Sequence, residues 1–382
     1  MLQIDKEYIV RVYRQLHQVP EVGFDLPKSM AIIRQELDAL GVPYTEEYGK
    51  SCIIATLNEG VGNKTIAIRA DFDALPIQEE TGLPYASTHP GKMHACGHDA
   101  HAAMLLGTIK KLKEMEKDIT CCVKFIFQSA EEILGGAKTI CEDGFMDQVD
   151  EIIACHINAA HPTGTFLINR TCNSACSRGF KLHLYGKSSH VAKPHQGVDA
   201  IAMAIRVYND IQFMRARELN PVEKVIIGVG SIHGGTVNNI VCDHVVMDVS
   251  VRTQKTALDE HIYKRITQIA ESVAADMGGR AELETYKYTP ALINNLEIAD
   301  ALEAAAVQVL GTENIRPRNE AMGGEDFAYY LQHKPGAMFN IGILDAGMPH
   351  IPGHNGKLII SENCLDLDPR VFVQYVLDRM EK

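Results

Sequence analysis

Two α/β units, one inserted into the other, are the architecture this 382-residue sequence predicts. The larger has helices around a mixed sheet, and the inserted one is a ferredoxin-like β-α-β-β-α-β unit. Three observations carry the prediction. The chain is longer than one ordinary core supports. Apolar runs such as Cys121–Phe127 and Ile152–Cys155 alternate with helical periodicities, as strands buried on both faces do. After about residue 175 the rhythm changes, and near Pro290 it resumes. The boundaries are therefore drawn at 1–175 plus 291–382 for the larger domain and 176–290 for the insert.

The elements follow in order. Residues 6–19 and 27–40 read as helices; Pro27 suits a first turn, and Met30, Ile33, Leu37 and Leu40 form a stripe. Strands are expected near 51–58 and 64–70, a helix at about 100–116, and strands at 121–127 and 151–156, with a short helix after Gly135-Gly136. The insert reads as strand 179–186, helix 197–217, strands 223–231 and 244–252, helix 256–277 and strand 280–288. Ile201, Ile205, Tyr208 and Ile211 form the apolar stripe of its first helix; Ile262, Ile266, Ile269 and Val273 form that of its second. A helix at 295–310, a strand at 337–343 and a helix at 369–381 complete the larger domain.

Composition narrows the function classes. Hydrophobic content of 46% and 23% charged residues are ordinary for a globular chain, and a net charge of −12 argues against nucleic acid and anionic membranes as partners. The ten cysteines are scattered without a disulfide framework, and no signal-like or membrane-spanning apolar run is present, so a cytoplasmic protein with reduced thiols is expected.

Polar residues collect where the strands end, at the carboxyl edge where open α/β sheets bind ligands. Met93–His101 packs three histidines, a cysteine and an aspartate ahead of an apolar helix. Thiolate and imidazole suit zinc-like cations. Cys96 and His98, at i and i+2, point the same way in an extended segment, and Asp99 is placed to cap the helix. Glu131-Glu132 follows a buried strand; on an extended chain one carboxylate faces a metal and the other open space, where it can serve as a general base. The alternative, two solvated surface carboxylates, fits poorly with that strand and with Gly135-Gly136 behind it. His156 closes another buried strand and has the alternative of a hydrogen-bonded core histidine. His354 lies in a loop rich in glycine and proline.

These motifs resemble those of peptidase family M20, subfamily D: Cys-Gly-His-Asp-x-His-x-x-x-Leu-Leu-Gly at 96–107, Arg-Ala-Asp-x-Asp-Ala-Leu-Pro at 69–76 and Ala-Glu-Glu at 130–132. Ser188-Ser189-His190, Gly323-Gly324-Glu325-Asp326-Phe327 and the His354 loop extend the match over nearly the whole chain. The resemblance implies an amidohydrolase of the hippurate-hydrolase, N-acyl-amino-acid deacylase or auxin-conjugate-hydrolase type, with two divalent ions per subunit. Zinc or manganese comes first as the metal, cobalt or nickel next. It implies Cys96, His98, Glu132, His156 and His354 as ligands, Cys96 bridging, and Glu131 as general base on the metal-bridging water. His190 would stabilise the oxyanion in a partner subunit's site, Asn239 would contact substrate, and the insert would be a lid and homodimerisation domain.

Asp71 and Asp73 stand where other branches of the family place a ligand pair, and are assigned to orienting imidazoles. Ile133-Leu134 replaces the family's glycine-rich run, Asn158–His161 replaces its short proline turn, and Cys242 stands where proline is usual. These departures surround the pocket and bear on substrate. The substrate implied is a small N-acyl amino acid or amide. The rivals are a dipeptidase or exopeptidase with the same site, and a metal-binding homologue without catalysis.

Overall fold

The computed structural model describes residues 2–380, which form two compact units: 2–173, 293–320 and 326–380 in the first, 174–292 and 321–325 in the second. The first is built on an eight-stranded mixed sheet in the order Tyr44–Thr45, Ile53–Leu57, Cys122–Gln128, Thr65–Asp71, Glu151–Pro162, Gly336–Leu344, Phe166–Ile168, Ile315–Pro317. Its centre is parallel, with Thr65–Asp71 between Cys122–Gln128 and Glu151–Pro162. Ile66, Ile68, Phe125, Phe127 and Ile153 from these strands pack with Ala102, Leu105, Leu106 and Ile109 of helix His98–Glu114 in one core of fully or nearly fully buried side chains. Helix starts are set locally: Asp5 accepts from Tyr8 N–H, and Asn295 from Ile298 N–H. Helix His98–Glu114 begins two residues earlier than its periodicity suggests, and the strand expected at 151–156 runs on to Pro162.

The second unit is a four-stranded antiparallel sheet, ordered Arg280–Thr289, Cys176–Tyr185, His244–Thr253, Val225–Gly234, with helices Ala200–Arg217 and Thr256–Asp276 packed on it. Numbered along the chain, that order is fourth, first, third, second, the ferredoxin-like arrangement. Val245, Met247, Val249 and Val251 alternate into the core, as a strand buried on one face requires. Ile262, Ile266, Ile269 and Val273 face inward. The first helix differs from expectation. It buries Met203, Ala204, Val207, Ile211 and Met214, and leaves Ile201, Ile205 and Tyr208 exposed by 42%, 57% and 40%. The helix carries two apolar stripes, and of the four residues expected to face the core only Ile211 does.

No helix among the described residues is long and apolar enough to cross a membrane. The ten cysteines form no disulfide.

The first unit also buries a complete arginine. Arg69 donates through Nε to Gln128 Oε1 (2.9 Å), through Nη1 to Asp71 Oδ2 (2.6 Å) and through Nη2 to Asp326 Oδ1 (2.9 Å). Both ion pairs have no side-chain exposure. A buried pair contributes little net stability, yet removing one partner strands the other charge. Arg69→Leu should therefore lower unfolding stability by roughly 3–5 kcal/mol, read from urea denaturation; a loss under 1 kcal/mol would show that Asp71 and Asp326 find other partners.

Candidate metal centre

The polar cluster forms where the parallel strands end. Asp71 and Gln128 are in register at the carboxyl ends of their strands, Asp73 and Glu131-Glu132 lie just beyond, and His156 is carried by the neighbouring strand. Cys96 and His98 do not lie on an extended segment. Gly97 between them is left-handed (φ +87°), and a Cβ there would sit 2.3 Å from Ile157 Cδ1, so the turn needs glycine for conformation and for space. The helix then starts at His98 itself. Asp99 lies in the first turn and uses both oxygens: Oδ1 accepts the first-turn Ala100 N–H (2.9 Å), and Oδ2 is 2.6 Å from the buried His17 Nδ1.

Glu131 and Glu132 do not diverge from a strand end either. The strand stops at Gln128, Ala130 is left-handed (φ +55°), and Leu134 N–H closes a turn on Glu131 C=O (2.7 Å). At Gly136 a Cβ would fall 1.7 Å from Ser129 O, so only glycine lets the helix Gly136–Glu142 start that close. The turn brings both carboxylates within 4.8 Å of His98 and of each other.

All five expected ligand side chains come together. Potential ligand atoms of Cys96, His98 and His156 lie within 4.8 Å of one another, and so do those of Cys96, Glu132 and His354. Cys96 is common to both triads. His156 Nε2 is 3.4 Å from Cys96 Sγ, and Glu132 reaches His98 Nε2 (3.9 Å) with Oε1 and His354 Nε2 (3.5 Å) with Oε2. His354 holds its place in a left-handed conformation (φ +61°) with its N–H on Ala95 O (2.8 Å).

Orientation comes from the other ring nitrogens. His98 Nδ1 bonds Asp73 Oδ1 (3.2 Å), and Asp73 Oδ2 accepts Glu132 N–H (3.1 Å). His156 Nδ1 donates to Ile157 O (2.8 Å). Asp71 serves an imidazole outside the expected set, His101, whose Nδ1 is 2.6 Å from its Oδ1. Asp71, His98 and His101 also cluster tightly enough to suggest a cation. However, the 2.6 Å contact is a hydrogen bond, and His101 Nε2 already accepts Ile157 N–H (3.0 Å). We therefore read this trio as support for the site.

Does this donor set fit metal ions? His98 Nε2 and Glu132 Oε1 are buried and have no hydrogen-bond partner, although native interiors rarely leave such atoms unsatisfied. One sulfur, three imidazole nitrogens and a carboxylate are the ligand chemistry of zinc-like cations. Burial lowers His156 to about 3, which keeps its ring in the neutral, ligating form. Burial pushes the Cys96 thiol up, so a nearby cation is what would make it a thiolate. Burial also opposes the charge on His98, but Asp71 overrides it and holds the pKa well above the usual histidine range. The residues fit.

In the second unit, His190 and Asn239 lie on adjoining loops. His190 pairs with Ile240, Val191 N–H donates to Asn239 O (3.0 Å), and His190 Nδ1 accepts Ala192 N–H (3.0 Å). Both residues are exposed. Sequence reasoning gave no role to His101, Arg69, Gln128 or Asp326, which hold the cluster from behind. The i+3 spacing of His101 from His98, which stacks the two rings (centroids 5.4 Å, interplanar 27°), was the available signal.

Comparison with known proteins shows a family match and similar folds. The model of Peptidase family M20/M25/M40 matches residues 67–377. N-acetyl-L-cysteine deacetylase of Bacillus subtilis is 35% identical, over 87% of this chain and 79% of its own. Thermostable carboxypeptidase 1 of Saccharolobus solfataricus is 32% identical, over 95% and 93%. The crystal structure of the Bacillus subtilis YXEP protein, a dinuclear metal binding peptidase from the M20 family, is similar with TM-score 0.84 and 29% identity, covering 98% of each chain.

Elemental analysis of gently purified protein should approach two divalent metals per chain, and Cys96→Ser, which removes the atom common to both triads, should lose most of both. A fully active protein carrying one metal or none would refute the assignment.

Proposed function

Because the chain belongs to peptidase family M20/M25/M40, whose members among its relatives are amidohydrolases, deacetylases and carboxypeptidases, we propose that this hydrolase is a dinuclear amidohydrolase. Its substrates are N-acyl amino acids or related small amides. The observation that carries the reading is the pair of triads meeting at Cys96 with Glu131 beside them. Cys96, His98 and His156 would hold one ion; Cys96, Glu132 and His354 the other. Bound there, two divalent cations would supply Lewis-acid activation of the amide carbonyl and a more acidic water.

The rest falls to the chain. Glu131, buried with 6% exposure and clustered with His98 and Glu132, takes the proton of the attacking water and returns it to the leaving nitrogen. Asp73 keeps His98 and the Glu132 backbone in place through its two oxygens. We assign His190 of the partner subunit to the developing oxyanion, a contribution typically worth a few kcal/mol, and Asn239 to substrate contact. What supports a homodimer is the outward stripe Ile201, Ile205 and Tyr208, together with the open edge strand Val225–Gly234, which exposes Ile226 and Ile232.

Turnover of a panel of N-acyl amino acids, set against unblocked dipeptides, tests the substrate class; faster cleavage of the dipeptides would favour the peptidase reading. Glu131→Gln should lower turnover by roughly two decades or more while metal stays bound. If Glu132→Gln instead loses turnover with metal retained, the two roles are exchanged. Refolding Glu131→Ala together with His190→Ala should restore about a quarter of wild-type activity, because half the closed dimers are mixed and each carries one whole site. No recovery in confirmed mixed dimers would place His190 outside the partner's site.

A further inference from the structure

We propose that His101 is a positioning residue: it fixes the inward orientation of His156 by holding the backbone of Ile157. The inference rests on the reading of Cys96, His98 and His156 as ligands, and adds a residue that touches no cation.

The strand Glu151–Pro162 pairs with Thr65–Asp71 only from Ile66↔Glu151 to Arg69↔Ala154. Past that point Thr65–Asp71 stays paired with Cys122–Gln128 as far as Asp71 but no longer with this strand, so His156 and Ile157 are held by a ladder on the Gly336–Leu344 side alone and the other edge is left open. His101 takes the strand's place. Its Nε2 accepts Ile157 N–H at 3.0 Å. Ile157 C=O in turn accepts His156 Nδ1–H at 2.8 Å, which leaves His156 Nε2 facing Cys96 Sγ at 3.4 Å. The Ile157 side chain presses on Gly97, between Cys96 and His98. One residue thus meets the surroundings of three ligands, and His101 holds that residue.

His101 is itself immobilised. Asp71 holds its Nδ1 at 2.6 Å, Arg69 holds Asp71, and its ring lies 4.7 Å from that of His156 and 5.4 Å from that of His98, centroid to centroid. Both nitrogens are engaged, so the contribution is orientation. Partners of this kind are typically worth about 10–100-fold in metal affinity or activity.

The test uses cobalt-loaded full-length protein. His101→Phe keeps a ring and removes both bonds; His101→Gln keeps one donor and one acceptor. His101→Phe should shift the visible cobalt bands, release metal at about 10–100-fold lower chelator concentration, and lower kcat with KM little changed; His101→Gln should restore most of each. In the wild type, the Ile157 amide should exchange slowly with and without metal. A folded His101→Phe protein with wild-type cobalt bands and chelator midpoint would overturn the proposal. So would rapid exchange at Ile157, a measurement that does not depend on any variant folding. Wild-type protein that takes up no cobalt would instead refute the metal-site reading, and this inference with it.

Discussion

The arrangement depends first on a buried positive charge. Arg69 lies where water cannot reach it, so Asp71, Asp326 and Gln128 must satisfy it within the fold. Asp326 does more than neutralise. It accepts Gln128 Nε2 with both oxygens (2.8 and 2.9 Å) and Ala137 N–H (3.0 Å). Gln128 and Ala137 stand at the two ends of the segment bearing Glu131-Glu132, so one carboxylate clamps both ends of that loop. On the other side, Asp71 passes the constraint to His101. A single desolvated guanidinium therefore stands behind both the carboxylates and the imidazoles of the candidate site.

The same network explains how the backbone near the site tolerates strain. Five non-glycine residues among those described have positive φ, and three of them, Ala130, Leu134 and His354, border or belong to the cluster. Such conformations cost of order 1–3 kcal/mol each and persist only where neighbours over-determine them. Here they do: Ala130 O receives both Gly135 N–H and Gly136 N–H, and His354 N–H is held by Ala95 O. An unstrained extended chain would separate Glu131 and Glu132 onto opposite faces. The left-handed turn is what lets two successive carboxylates share one pocket.

This accounts for what could and could not be read in advance. The motif resemblance is what gathers Cys96, His98, Glu132, His156 and His354 into one set, since residue type alone leaves His156 a core alternative and His354 in a loop, and the five side chains do meet. The apolar rhythm likewise carries the two sheets and the ferredoxin-like order. The path by which the side chains meet was hidden. The left-handed Gly97 depends on Ile157, sixty residues away, and the second oxygen of Asp99 is taken by the buried His17, 82 positions earlier. Asp326 pairs with an arginine 257 positions earlier in the chain. Local pattern reports propensity and period; it does not report which distant partner will win a polar group.

Helix Ala200–Arg217 shows the same limit and turns it into information. Its period fits two apolar stripes about equally, and only packing selects Met203, Ala204, Val207, Ile211 and Met214 for the core. Three large apolar side chains then remain in water on the opposite face. Burying one such side chain is worth roughly 1.5–3 kcal/mol, so a helix apolar on both faces suits two interfaces better than one. The edge strand of the same unit is ten residues long and ends its sheet without a neighbour, a condition that monomers usually blunt with charge or proline. Here its sequence, Val225-Ile226-Ile227-Gly228-Val229-Gly230-Ser231-Ile232-His233-Gly234, has neither proline nor lysine. The two features share one physical character: each is apolar surface that the proposed homodimer would cover.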